Sequence, residues 1–182
     1  NLAQRYLLAA PASLARERIL ECQLYQSQTF QRPVLDVGCG DGLLASILFV
    51  DQIDTGIDPN ASEIAVAESR KVYKELLHCF GSAIPKDDNT YRTAFSNSVL
   101  EHIKVIQPVL KEVFRVLEPG GVFYITIPTD QFEQYALISR ILAKLGFNKL
   151  QLSFRRWYNN FWKHYHCYSP EEWETILRQG GF

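Results

Sequence analysis

The chain has 182 residues, 47% of them apolar and 21% charged, with 19 basic against 20 acidic side chains. A single core can bury roughly 70% of the unfolded surface at this size, so one domain is expected. The net charge of −1 excludes a globally basic nucleic-acid binder and an acidic tail, and 13% aromatics exclude a disordered chain. No apolar run reaches the roughly 20 residues of a membrane span, and no leader with a cleavage site is read. The four cysteines, Cys22, Cys39, Cys79 and Cys167, are widely and irregularly spaced, without a C-x-x-C pair. That argues for thiols in a reducing cytoplasm, not for disulfides or zinc, and no metal is expected. There is no methionine, and the chain reads as a fragment of something longer.

Residues 1–30 carry leucines at helical intervals, interrupted at Pro11, and read as an N-terminal helical cap. Residues 31–182 form the main domain. Val34–Val37 reads as a strand ending in glycines, Leu43–Val50 as a helix, and Ile53–Ile57 as a second strand closed by Asp58-Pro59-Asn60. Ser62–Leu77 reads as a long helix on the stripe Ile64, Ala65, Ala67, Val72 and Leu76. Short strands follow at Leu77–Phe80 and Tyr91–Ser96. Leu100–Leu117 reads as helix with Pro108 as a break or restart. After the turn Glu118–Gly121 comes a fifth strand, Val122–Ile127. Asp130–Leu145 reads as a helix. A last helix starts at Ser169-Pro170-Glu171-Glu172, with serine as cap and proline in the first turn, and ends at Gly180-Gly181. Strands alternating with helices, joined by right-handed crossovers, predict an α/β fold with a doubly wound, mainly parallel sheet.

The segment 134–170 holds six Lys or Arg, no Asp or Glu, and nine aromatics. It reads as a basic aromatic lid or insertion at about 130–168. A membrane surface met through 147–168, by Trp157, Phe161 and Trp162 with Arg155, Arg156 and Lys163, is the main rival. Stacking of single-stranded nucleic acid is a less favoured reading, and a simply packed helical cap is the plainest one.

The densest local signal is Asp36-Val37-Gly38-Cys39-Gly40-Asp41-Gly42, between a strand and a helix, where doubly wound sheets bind nucleotides. Alternate glycines let backbone approach a ligand, and the helix start offers unpaired N–H groups. The spacing is G-x-G-x-G, not the G-x-G-x-x-G of dinucleotide sites, so a nicotinamide enzyme is disfavoured. Asp36, two residues before the first glycine, suits a ligand ammonium group. Asp58, at the end of the second strand, can accept both hydroxyls of a ribose, or can simply shape the Asp-Pro-Asn turn.

These residues resemble the first motifs of the class I S-adenosylmethionine-dependent methyltransferases, in the small-molecule branch called type 11. Val34–Gly42 is similar to the family's glycine motif and Gly56-Ile57-Asp58 to its ribose-binding acid. Ser96–Ile103 resembles the segment after the fourth strand, and Leu110–Gly121 the helix and turn before the fifth. The resemblance implies that Gly38, Cys39, Gly40 and Gly42 support the methionine part of S-adenosylmethionine, with Asp36 near its ammonium. It implies that Asp58, with Pro59 beside it, holds the ribose. Ser82 and Ala83 would flank the adenine, Ala83 through its backbone; Ser82 stands where the family often has an acid. Asn97 and Ser98 would close the pocket near the sulfonium. The acceptor is expected to be a small or lipid-like molecule. A general base is needed only if the nucleophile arrives protonated, and His102, His164 and His166 are the candidates, each equally readable as a structural residue. A cofactor-holding module without chemistry is the alternative. The family's last two strands would follow Phe182, so they are expected to be missing from the sheet.

Overall fold

The structure is a computed structural model that describes Tyr6 and residues 12–130, 137–162 and 164–182. The first helix, α1, spans Ala12–Gln26, followed by β1 Val34–Val37, α2 Leu43–Leu48, β2 Ile53–Asp58, α3 Ala61–Arg70, β3 Tyr73–His78 and β4 Tyr91–Asn97. A 3₁₀ turn at Leu100–His102 leads to α4 Gln107–Val116 and β5 Leu117–Thr126. Then come α5 Leu137–Lys144, α6 Asn148–Trp162 and α7 Pro170–Gly180. The strands pair in parallel in the order β3-β2-β1-β4-β5. The expected doubly wound sheet is therefore what the chain builds. Among the described residues it has five strands, with β5 at one edge. No helix among them is long and apolar enough to cross a membrane.

The sheet is covered on both faces, as a parallel sheet requires. Leu35 and Val37 point to the face where α4 lays down Val109, Leu110, Val113 and Val116, and where Trp173 of α7 closes the layer. Those α4 positions fall on one side of a helix of 3.6 residues per turn. Val34 points the other way, into a layer of Ala45, Ala67, Tyr73, Phe95 and Tyr25. Phe30 sits edge-on to both Phe49 and Phe95 there, so α1 and the segment after it share this core. α7 begins with a capping box: Glu172 N–H donates to Ser169 Oγ, and Ser169 N–H donates to the Glu172 carboxylate.

Three expected boundaries move. The helix read as Ser62–Leu77 ends at Arg70, where Lys71 takes φ 54, a left-handed C-cap. Val72 and Leu76 looked like helical stripe positions because buried apolar residues four apart also occur where a strand is buried. The third strand accordingly runs Tyr73–His78, not Leu77–Phe80. The segment read as Leu100–Leu117 splits into the 3₁₀ turn and α4, with Pro108 in the first turn of α4. The expected turn at Glu118–Gly121 is a bulge inside β5: Tyr91 pairs with Leu117, but Thr93 already pairs with Val122. The parts of the cap, lid and Asp130–Leu145 readings that fall on residues 1–5, 7–11, 131–136 and 163 lie outside the described residues, as do the side chains of Phe161 and Trp162.

Candidate functional site

The carboxyl ends of β1, β2 and β4 meet at one edge of the sheet. The loop after β1 bends through positive φ at Gly38 (79°), Gly40 (51°) and Gly42 (74°). The N–H groups of Gly38 and Cys39 both donate to the Ile57 carbonyl at 2.9 Å, which fastens the loop to β2. The glycines serve different ends. A Cβ on Gly38 would lie 2.6 Å from both methyls of Val99, so this position is set by packing. A Cβ on Gly40 would meet nothing within 4 Å. Gly40 faces open space, and backbone is what a ligand would meet there.

Asp58 reaches across to this loop. Its Oδ2 accepts the Gly40 N–H at 2.9 Å and its Oδ1 accepts the Asn60 N–H at 2.8 Å. Each oxygen has a second lone pair, so the carboxylate can still accept two hydroxyls. The same group shapes the turn and presents acceptors. Pro59 is exposed, and its carbonyl lies 2.9 Å from His78 Nε2. On the far side of the loop, Arg70 donates through Nε to the Asp41 carbonyl and through Nη2 to its carboxylate.

Asp36 sits beneath the loop, 3% exposed, and accepts the Tyr73 hydroxyl at 2.7 Å. Burial raises its carboxyl to about 7; the Tyr73 bond opposes the rise and the nearby charge of Asp58 adds to it. It acts on the loop from below. Burial also pushes the Cys39 thiol up, so it stays protonated. Tyr73 lies in a segment that reads as helical from sequence; the β-branched Val72 beside it is the available strand signal.

Asn97 and Ser98, at the end of β4, are held by α1. Asn97 Nδ2 and Ser98 Oγ donate to the two carboxylate oxygens of Glu21 at 2.9 and 2.7 Å, and Arg18 binds the same Glu21 at 2.7 Å. Asn97 Oδ1 accepts from Thr126 Oγ1 at 2.7 Å. Tyr25 donates to the Ser96 carbonyl at 2.8 Å. No motif announced Glu21 or Tyr25, because their partners lie more than 70 residues away. Ser82 and Ala83 are exposed in the loop after β3. The Ala83 N–H closes a turn on the Phe80 carbonyl at 3.0 Å. Glu112 and Arg115 of α4 fasten the next residues of this loop through the Ile84 N–H and carbonyl.

His166 is engaged on both ring nitrogens. It is 8% exposed and stacked on Tyr168. Its Nε2 lies 2.8 Å from the Ile103 carbonyl, which can only accept, so Nε2 carries the proton and Nδ1 takes the Tyr168 hydroxyl at 3.1 Å. His102 is different: its side chain is 40% exposed and its ring lies 5.0 Å from that of His164. Beside it Glu101 is 1% exposed, and burial raises its carboxyl to about 7. A separate cavity of about 630 Å³, lined by Arg115, Glu118, Phe123 and Phe182 among others, opens at the amino ends of β4 and β5, the opposite edge from the glycine loop.

The sequence profile of a family described as a methyltransferase domain matches residues 35–125, half of the chain. A mouse protein, the mitochondrial ubiquinone biosynthesis O-methyltransferase, is 27% identical over 157 residues, covering 81% of this chain and 40% of that protein. This chain thus spans less than half the length of that relative. A crystallised S-adenosylmethionine-dependent methyltransferase of Thermotoga maritima, described as a possible histamine N-methyltransferase, matches with a TM-score of 0.68. The match covers 91% of this chain and 70% of that one at 22% identity, a likeness of fold. A structure of a 4+2 cyclase matches with a TM-score of 0.51 and 25% identity over 58% of this chain and 43% of that one.

Proposed function

The chain belongs to the methyltransferase-domain family, and on that premise we propose that it transfers the methyl group of S-adenosylmethionine to a small-molecule acceptor. The observation that carries this is the pairing at the switch point of the sheet: a glycine loop whose Gly40 faces open space, bonded to an acid, Asp58, that retains acceptor capacity. The residues suit the cofactor. Gly38, Cys39, Gly40 and Gly42 let backbone N–H groups approach its methionine part, and Asp58, beside Pro59, takes its ribose hydroxyls. Asp36 supports the loop from below and supplies negative charge toward an ammonium group. Exposed Ser82 and Ala83 flank the adenine side by surface contact, and Asn97 and Ser98 hold α1 over the reacting end.

When bound, S-adenosylmethionine supplies a methyl group already activated by its sulfonium centre. The protein's part is then to align the acceptor and exclude water, and orientation accounts for most of the rate. His102, half-exposed at the end of β4, is the base for a protonated nucleophile. The mouse relative is an O-methyltransferase by name, which supports oxygen as the acceptor atom. The acceptor's cover is the segment at about 130–168. Exposed Phe147, Leu150, Leu152 and Trp157 lie there among Lys149, Arg155 and Arg156, and peripheral contact with a membrane through 147–168 belongs to the same reading. The spacing of the cysteines supports a reducing compartment such as the cytoplasm.

The test is a thermal shift with S-adenosylhomocysteine, with NAD as control. A ligand at about 100 times its Kd stabilises by roughly 2.7 kcal/mol, or roughly 5–10 °C for a chain of this size. A shift with NAD alone, or with neither ligand in a cooperatively melting sample, overturns the reading. One observation favours a second reading, a module that holds the cofactor without transfer: the fold is shared with a protein named a cyclase, and fold does not fix function. Methyl transfer from labelled S-adenosylmethionine to phenolic acceptors separates the two.

A further inference from the structure

At the carboxyl end of β4 lies a cluster that methyl transfer does not itself require. Glu101, His102 and His164 each bring one ligand atom, a carboxylate oxygen or an imidazole nitrogen, to within 4.8 Å of the others. His102 Nε2 is 3.8 Å from Glu101 Oε1. The two segments that carry these groups are bonded together. Tyr165 N–H donates to the Glu101 carbonyl at 2.8 Å, and His166 Nε2 donates to the Ile103 carbonyl at 2.8 Å. The residue after His164 is thus tied to the turn that carries Glu101 and His102.

A second observation is independent of that grouping. Glu101 is 1% exposed, and its Oε2 is buried with no hydrogen-bond partner among the described residues. A buried carboxylate oxygen without a donor is costly. A cation beside it removes that cost.

We propose that Glu101, His102 and His164 bind one divalent transition-metal ion of the zinc type, with a coordination position left open. Two imidazoles and one carboxylate form a donor set used at catalytic zinc sites, where three protein ligands leave a fourth place for water or substrate. Bonds of about 2.0–2.1 Å in a tetrahedron put donors roughly 3.4 Å apart, so the cluster closes by about 1.5 Å at most. Rotation of the half-exposed His102 side chain supplies that movement. The cluster begins two residues after Val99, the side chain that packs on Gly38, so the turn that carries it is tied to the glycine loop. The use of the open position, to hold an acceptor oxygen and lower its pKa, takes the place of proton removal by the free His102 and rests on the methyl-transfer reading; the metal site does not.

The experiment strips the full chain with a chelator, titrates Zn²⁺ against a chromophoric competitor, and follows Co²⁺ by visible absorption. S-adenosylhomocysteine thermal shifts are run on the same samples. One saturable equivalent is expected, with Co²⁺ bands of a low-symmetry four-coordinate site. Affinity should fall more than about tenfold in Glu101→Gln, which is nearly isosteric, and in His102→Ala, at an exposed position. No saturable binding, or binding that both variants leave unchanged, overturns the proposal. Zinc binding in a sample that gives no S-adenosylhomocysteine shift upholds the metal site and overturns the transfer reading. A shift without zinc binding does the reverse.

Discussion

Replacing Gly40 by alanine separates a glycine kept for a ligand from one kept for packing. At φ 51 an alanine stays in the left-handed region, which costs roughly 1–2 kcal/mol. Its Cβ meets no atom within 4 Å, so no packing cost is added. At this chain length roughly 2–4 °C is lost per kcal/mol, and Gly40→Ala should melt roughly 2–8 °C below the parent. The same methyl stands where cofactor atoms must come, and affinity for S-adenosylhomocysteine should fall at least about tenfold, about 1.4 kcal/mol. Gly38→Ala is the control. Its Cβ would sit 2.6 Å from two Val99 methyls, where carbon contacts settle near 3.5–4.0 Å. Overpacking then adds roughly 1–3 kcal/mol to a similar backbone strain. Paired thermal denaturation and titration calorimetry measure both quantities. Affinity in Gly40→Ala within about twofold of the parent refutes the assignment of the open space to the cofactor. Equal melting of the two variants refutes the packing argument.

Tyr73→Phe keeps the ring that packs on Gly42 and Gly56 but removes the 2.7 Å bond to Asp36. It should cost roughly 1–3 kcal/mol at pH 8 and less at pH 5, where Asp36 is protonated; equal losses at both pH values would count against a buried carboxylate. Asp36 titrates near 7 in the folded chain against 3.8 unfolded. The native state therefore holds a proton that the unfolded chain releases between those values. The stabilisation from that proton is present in full below about pH 4, declines as pH rises, and is gone above about 7. At about 1.36 kcal/mol per unit this reaches at most about 4 kcal/mol. In Asp36→Asn the slope disappears, so denaturant titrations from pH 4 to 8 should show the variant gaining on the parent until about pH 7. Asp58→Ala should weaken S-adenosylhomocysteine binding at least about tenfold while the circular dichroism spectrum is kept; unchanged affinity sinks the ribose assignment.

What the sequence disclosed was what local pattern can carry. The G-x-G-x-G loop, the Ser169 cap and the Val34–Val37 run are written in neighbouring residues, and each stands where it was read. The β3 boundary was lost because Val72 and Leu76 satisfy a helical stripe as well as a buried strand, and only the turn at Lys71 decides between them. Residues that act on the site through tertiary contact left no local trace. Glu21 is an ordinary helical acid until Asn97 and Ser98 arrive beside it, and Tyr73 is an ordinary aromatic until its hydroxyl meets Asp36. His166 shows the same limit. A histidine in an aromatic loop carries no sign in sequence that Ile103 and Tyr168 engage both of its nitrogens.

The strand order has a consequence for how this chain can be studied. The two walls of the crevice, β1 and β4, are joined by the Ser96 hydroxyl on the Val37 carbonyl, 59 residues apart in sequence. The chain between them carries α2, β2, α3 and β3, so the seam is a long-range contact that must meet the cost of closing that loop. The crevice is therefore a property of the assembled sheet and not of any peptide within it. A partially folded population leaves ligand affinity reduced by the fraction that is competent. A fluorescent S-adenosylhomocysteine analogue would then serve as a reporter of refolding, lighting only when the last long loop has closed.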